Sequence, residues 1–208
     1  TLTASLGYEE PDELNITLAN IMMNVINDEE NEPEYGFLQH EEGVSFIPAN
    51  VELSGLEISL INVISRETIL RSYIETIRDQ YDYILIDCAP SLGMLTINAL
   101  VAADAVIIPV PAAYLPVKGL VQLLKTISMV KRRLNRKLQI EGILITMADF
   151  RTNLRKIYLQ NCMRHMIQLL EFLRHIFHSL YGRQSAVQKE SVSINMIQME
   201  MQQMPIID

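Results

Sequence analysis

The chain has 208 residues, of which 49% are hydrophobic and 20% charged, a balance that suits one α/β domain with a sizeable core and excludes a disordered or fibrous polypeptide. Two cysteines, Cys88 and Cys162, exclude a disulfide framework and a paired metal-ligand spacing, and fit reduced thiols in a cytoplasmic protein. The net charge of −8 is unevenly placed, at −13 over residues 1–80 and +5 over residues 81–208, which permits an anionic partner for the second half.

The chain opens on "TLTASLGY", with no basic segment leading into an apolar one, so no signal peptide is expected. "NITLANIMMNVIN" places Ile16, Leu18, Ile21, Met22, Val25 and Ile26 at amphipathic-helix spacing. "NDEENEPEYG" reads as a solvated loop, and "GVSFIPAN" (Gly43–Asn50) as a short strand ended by Pro48. Residues 54–79 read as one helix or two, with an apolar face running from Leu56 to Ile77. A strand is expected over 82–88, then a helix over about Leu92–Ala102 with Ser91 placed to cap it. "DAVIIPV" (104–110) is a second apolar strand, 116–134 a helix ending in basic residues, and "IEGILITMAD" (140–149) a third apolar strand. The long apolar stretch Ile97–Val117 contains Asp104, Pro109, Pro111 and Pro116, and so reads as helix, strand and loop rather than a membrane span.

Strands apolar on both faces and alternating with helices predict a doubly wound, mostly parallel sheet covered on both sides. Ligands in such sheets sit beyond the carboxyl ends of the strands. Asp87, Pro109–Tyr114 and Thr146–Arg151 all fall at such ends.

Asp87 follows an apolar run, Ile84-Leu85-Ile86, and has two readings. An acid there can hold Mg²⁺ or its water in a nucleotide hydrolase, or it can cap the helix that follows. The first reading needs a glycine-rich loop ending in Gly-Lys-Ser/Thr. None of the eight glycines is followed by lysine. Cys88, inside the apolar run, reads as a small buried hydrophobe rather than a nucleophile. Between Ala105 and Gln139 there is no acid, and the cluster Lys131, Arg132, Arg133, Arg136 and Lys137 either contacts phosphates or simply suits a helix C-terminus. His165, His175 and His178 near Cys162 lack a second matched pair and predict no metal site.

The stretch "YDYILIDCAPSLGMLTINALVAADAVIIPVPAAYLPVKGLVQLLKTISMVKRRLN", with "ILITMADFRTNL" after it and "LTASLGY" before it, resembles the ParA/Soj family of partition ATPases, relatives of MinD with a deviant Walker motif. The resemblance covers about residues 1–154. It implies a P-loop NTPase fold, ATP and Mg²⁺ as cofactors, a homodimer, non-specific DNA binding and a centromere-binding ParB-like partner. It also implies a cytoplasmic, nucleoid-associated protein with no membrane contact. In it Asp87 matches the Walker B acid and metal ligand. Pro109, Thr146, Asp149 and Arg151 match segments near the nucleotide, and the basic cluster at 131–137 is a candidate for DNA contact.

Two departures from the family matter. Thr1 aligns after the family's D-x-D-P-Q motif, so the first strand and the Walker A loop are expected upstream of the chain's start, leaving an incomplete fold that neither binds ATP tightly nor hydrolyses it. After Leu154 the family pattern stops, and six of eleven methionines fall in the last 54 residues. Methionine has a single codon, so reading the third base of each codon with the next two nearly forces the outcome. Met196-Ile197 gives Asp, Met199-Glu200 gives Gly, and Met201-Gln202 and Met204-Pro205 both give Ala. The spacing D-x-x-G-x-A-x-x-A resembles the family's Y-D-P-x-G-x-A ending. Residues 1–154 are therefore expected to form a partial ParA-like domain, and 155–208 an out-of-frame tail, part helical and part irregular. On this reading the chain is a partition ATPase fragment, a non-catalytic DNA- or protein-binding remnant, or a product without function.

Overall fold

The computed structural model describes residues 2–32, 34–111 and 117–147. They form helices α1 (Leu2–Ser5), α2 (Leu18–Ile26), α3 (Glu52–Ser59), α4 (Ile69–Ile77), α5 (Met94–Ala102) and α6 (Val117–Arg133). The strands are β1 (Leu38–Gln39), β2 (Ser45–Phe46), β3 (Ala105–Pro111) and β4 (Gln139–Thr146). The described residues divide into two units: those of 2–105 with 119–139, and those of 106–118 with 140–147.

The first unit is helical because its apolar residues recur at helical spacing and its helix ends are satisfied. Helix α2 starts at a capping box, in which Thr17 and Asn20 satisfy each other's free backbone donors. Its face Ile21 and Met22 is wholly buried. Helix α4 buries Ile69, Leu70, Tyr73 and Ile77 while Arg71 and Glu75 pair across one exposed turn at 2.8 Å. It packs against both α2 and α5. Burial, and then the neighbouring Tyr81, push the Tyr73 hydroxyl up to about 12. The region 54–79 resolves into two helices, with Ser65 in a left-handed conformation (φ 55°) between them. Gly36 is required where it stands: its φ is +78°, and a Cβ there would come within 2.8 Å of Ile16 and 3.2 Å of Ile21.

Polar side chains fix α5. Asn98 is fully buried, donates its amide to the carbonyls of Arg66 (2.8 Å) and Met94 (3.0 Å), and accepts the Leu70 N–H at 3.1 Å. Leu70 lies in the first turn of α4, where N–H groups have no partner within the helix. At the other end of α5 the Asn135 amide donates to the carbonyls of Leu100, Val101 and Ala103, at 3.1, 3.1 and 2.7 Å. Thr3 joins α1 to Ala49 through two bonds, accepting its N–H and donating to its carbonyl.

In the second unit β3 and β4 pair with each other. The connection between them carries a helix, as parallel pairing requires. Along β3 Ile108 and Val110 are buried, whereas Ala105, Ile107 and Pro109 are exposed, and Leu144 of β4 is exposed as well. The strands β1 and β2 form a separate antiparallel pair with Leu38 opposite Phe46. Among the described residues no helix is long and apolar enough to cross a membrane.

Replacing Asn98 by alanine leaves the Leu70 N–H and the Arg66 carbonyl without their buried partner. The Asn98→Ala chain is expected to lose about 3 kcal/mol in urea unfolding; a loss under about 0.5 kcal/mol would show that the three bonds contribute little.

Candidate functional site

The segment carrying Asp87 departs from expectation. Tyr81 is anchored by stacking on Phe37, with ring centroids 5.8 Å apart, and Ile86 packs against the buried cluster. Between them Tyr83 is 87% exposed and Leu85 90% exposed. Residues 82–88 belong to neither sheet, and none of their backbone N–H groups bonds to another residue among those described. The expected strand is an extended, unpaired run. Apolar composition favours a strand, but a strand is completed only by neighbours on its edges, and the described residues supply none.

Asp87 is exposed and makes no hydrogen bond or ion pair with a described residue. Of its two readings, the cap is not what the fold uses. Helix α5 begins after Gly93, and the N–H of Leu95 in its first turn points to Glu57 Oε1 of α3 at 3.4 Å. The Glu57 carboxylate fills the space where a Cβ on Gly93 would sit. Ser91 does not cap α5 with its side chain either; its carbonyl accepts the Thr96 hydroxyl at 2.8 Å. Cys88 is exposed rather than buried, because the run that contains it is not enclosed in a sheet. Enough protein still surrounds the sulfur that desolvation, and then the Asp87 carboxylate, push its thiol up. A raised pKa keeps it protonated and weakly nucleophilic.

Asp87 lies in the first unit, Pro109 and Thr146 in the second. Pro109 is exposed on β3 and Thr146 half-buried at the end of β4. Asp149, Arg151 and the loop 112–116 lie outside the described residues, as do Cys162, the three histidines near it and the whole of 155–208.

The basic cluster is built at the end of α6. Leu120, Leu124, Ile127 and Val130 recur every three or four residues and are buried. Lys131, half-buried, and Arg132 and Arg133, exposed, occupy the last turn, where the helix dipole favours cations. Arg136 and Lys137 are exposed in the turn beyond it, on either side of which the chain is held by Asn135 and by the buried Leu138. Sequence reasoning found the cations but missed Asn135 and Glu57. Asn135 carried a weak signal, a residue able to bond carbonyls placed between two charged pairs; Glu57 carried none, because its partner is 38 positions away.

The residues described do not make a phosphate cradle. The positive-φ glycines are Gly7, Gly36 and Gly43, isolated from one another and each without a following lysine. Gly36 serves packing. No group of three or more potential metal ligands occurs among the described residues.

A family model described as an AAA domain matches residues 1–140. The sporulation initiation inhibitor protein Soj of Bacillus subtilis is 53% identical over 113 residues, covering 54% of this chain and 45% of Soj. The chromosome partitioning protein ParA of Myxococcus xanthus is 50% identical over 108 residues, covering 52% of this chain and 38% of that protein. The chain thus spans less than half the length of these curated relatives. Among solved structures, cobyrinic acid a,c-diamide synthase from Mycobacterium smegmatis, with bound ADP and magnesium, superposes with a TM-score of 0.70 at 36% identity, over 77% of this chain and 63% of the synthase. That likeness places the helices and strands in the doubly wound α/β fold of the P-loop NTPases. The matched AAA domain and the identities near one half to Soj and ParA together establish that this chain belongs to the ParA/Soj family.

Proposed function

We propose that these 208 residues carry the Asp87-bearing part of a ParA-type ATPase that partitions plasmid or chromosomal DNA, and that by themselves they neither bind ATP tightly nor hydrolyse it. The observation that carries this reading is the pairing of a Walker B-like acid with the lack of any Gly-Lys loop within the sequence. ATP and Mg²⁺ belong to the family reaction, and Asp87 would hold the metal or its water once phosphates were presented to it. Pro109, Thr146, Asp149 and Arg151 would line the nucleotide's neighbourhood. Isothermal calorimetry of the isolated chain with Mg-ATP is expected to give no heat of binding in the micromolar range; a saturable micromolar isotherm would overturn this part.

A second reading is favoured by the exposed basic turn. Arg132, Arg133, Arg136 and Lys137 lie close in sequence at one helix end, with Lys131 beside them. We read this turn as a non-specific DNA contact that works without catalysis, with homodimerisation and a ParB-like partner as properties of the complete protein in the cytoplasm or on the nucleoid. DNA retention is expected to fall with salt and to lose roughly one unit of log–log slope for each phosphate contact removed. Replacing Arg132, Arg133, Arg136 and Lys137 by alanine together should abolish retention at physiological salt. Unchanged retention would assign the cations to the helix dipole alone.

Residues 155–208 we assign to the family's C-terminal segment read in a shifted frame. The family match ends at residue 140, which is consistent with this. Sequencing the gene tests the assignment, since a single-base change near codon 154 must restore the Y-D-P-x-G-x-A ending; if no such change does, the tail has another origin.

A further inference from the structure

We infer that Glu57 is a positioning residue for Asp87: its carboxylate, brought by α3, holds the first turn of α5 and so sets where the turn between Asp87 and α5 ends. The inference rests on the reading of Asp87 as the metal-holding acid of the family reaction, and deepens it by naming a residue that places that acid.

Helix α5 does not complete its own start. Its N-cap is Gly93, which has no side chain to offer, and no acid stands in its first turn. First-turn N–H groups need acceptors from outside the helix, and the partial positive charge there favours an anion. Glu57 supplies both from 38 positions away, accepting the Leu95 N–H on Oε1 at 3.4 Å. Its carboxylate lies so close over Gly93 that a Cβ on that residue would overlap it. Gly93 has φ −78° and ψ −171°, an extended conformation open to any residue. The glycine thus leaves room for the carboxylate; the backbone does not require it.

Both sides of this contact are held. On α3, Leu53 and Leu60 share the face of Glu57, the first packed against the buried cluster and the second wholly buried, so the carboxylate is aimed at α5. On the other side only five residues, 88–92, separate Asp87 from Gly93. They have little slack. Pro90 fixes one φ, the Ser91 N–H donates to the Ala89 carbonyl at 2.7 Å, and the Ser91 carbonyl accepts the Thr96 hydroxyl at 2.8 Å. Ile86 packs against the buried cluster just before the acid. Asp87 therefore stands between two held points, Ile86 before it and the Glu57-capped turn after it. A displacement of α3 against α5 is passed to the acid through this connection.

The test uses the full 208-residue chain and follows hydrogen exchange at two amides, Leu95 under Glu57 and Ser91 inside the turn. Glu57→Ala is expected to speed exchange at both at least about fivefold, while amides in α2 and α4 stay within about twofold. Glu57→Gln keeps the length and an acceptor oxygen and should restore both amides to within about twofold of the original chain. Gly93→Ala leaves Glu57 in place but gives its carboxylate no room, so it should match Glu57→Ala, and the two changes together should be no faster than either alone. Should the Glu57→Ala chain fail to fold, Gly93→Ala carries the same test. None of these readouts uses ATP or Mg²⁺, and a different role for Asp87 would leave all of them unchanged. Four results would overturn the inference: exchange unaltered at Leu95, faster exchange at Leu95 with Ser91 unaffected, equal acceleration throughout α2 and α4, or additive effects of the two substitutions.

Discussion

The first unit depends on what one buried amide does. Asn98 sits in an apolar helix, at a position where composition alone would place leucine or valine. It joins the turn of Arg66, the first turn of α4 and its own helix through three hydrogen bonds. A buried polar group is costly unless every bond is made, and here the amide's carbonyl and amino groups are both engaged. The consequence is specificity of position. Apolar faces such as Ile69, Leu70, Tyr73 and Ile77 can slide against a helix that is apolar all round, whereas the Leu70 N–H has one place to go. The packing of α4 between α2 and α5 follows from that registration.

Local rules made much of the unit legible. Helix α2 was visible because Thr17 and Asn20 are near neighbours and its apolar residues share a face. Helix α6 was visible because Leu120 to Val130 repeat at helical spacing and basic residues close it. The Asp87 run failed for the opposite reason. Its residue types favour a strand, yet strand pairing is a relation between distant segments, and composition cannot state whether they are present. The misplacement of Cys88 followed directly, since its burial was inferred from that of the strand. Ser91 failed as a cap because a longer side chain, Glu57, arrives from α3 and occupies the space above Gly93.

The family assignment and the local structure speak to different things. The family match spans residues 1–140, Asp87 among them, and it identifies ancestry strongly. Catalysis would rest on phosphates being held against that acid, and holding phosphates is work for backbone donors in a glycine-rich turn. No such turn occurs among the described residues, where the positive-φ glycines are spread singly through the acidic half. The acid is thus presented outward, on a chain segment whose backbone N–H groups, like its carboxylate, bond to no other described residue.

Asn135 has a consequence for the cations around it. Its amide is bound to three carbonyls at the end of α5, so the backbone between Leu134 and Leu138 is held at a fixed orientation. Arg136 and Lys137 are therefore carried on a rigid knuckle and not on a swinging arm. Backbone ordering costs about 1–2 kcal/mol per residue when it happens on contact, and a knuckle already set by folding is exempt from that loss. Its charges also keep a constant spacing, so an anionic lattice passing over it would be met by the same pattern each time.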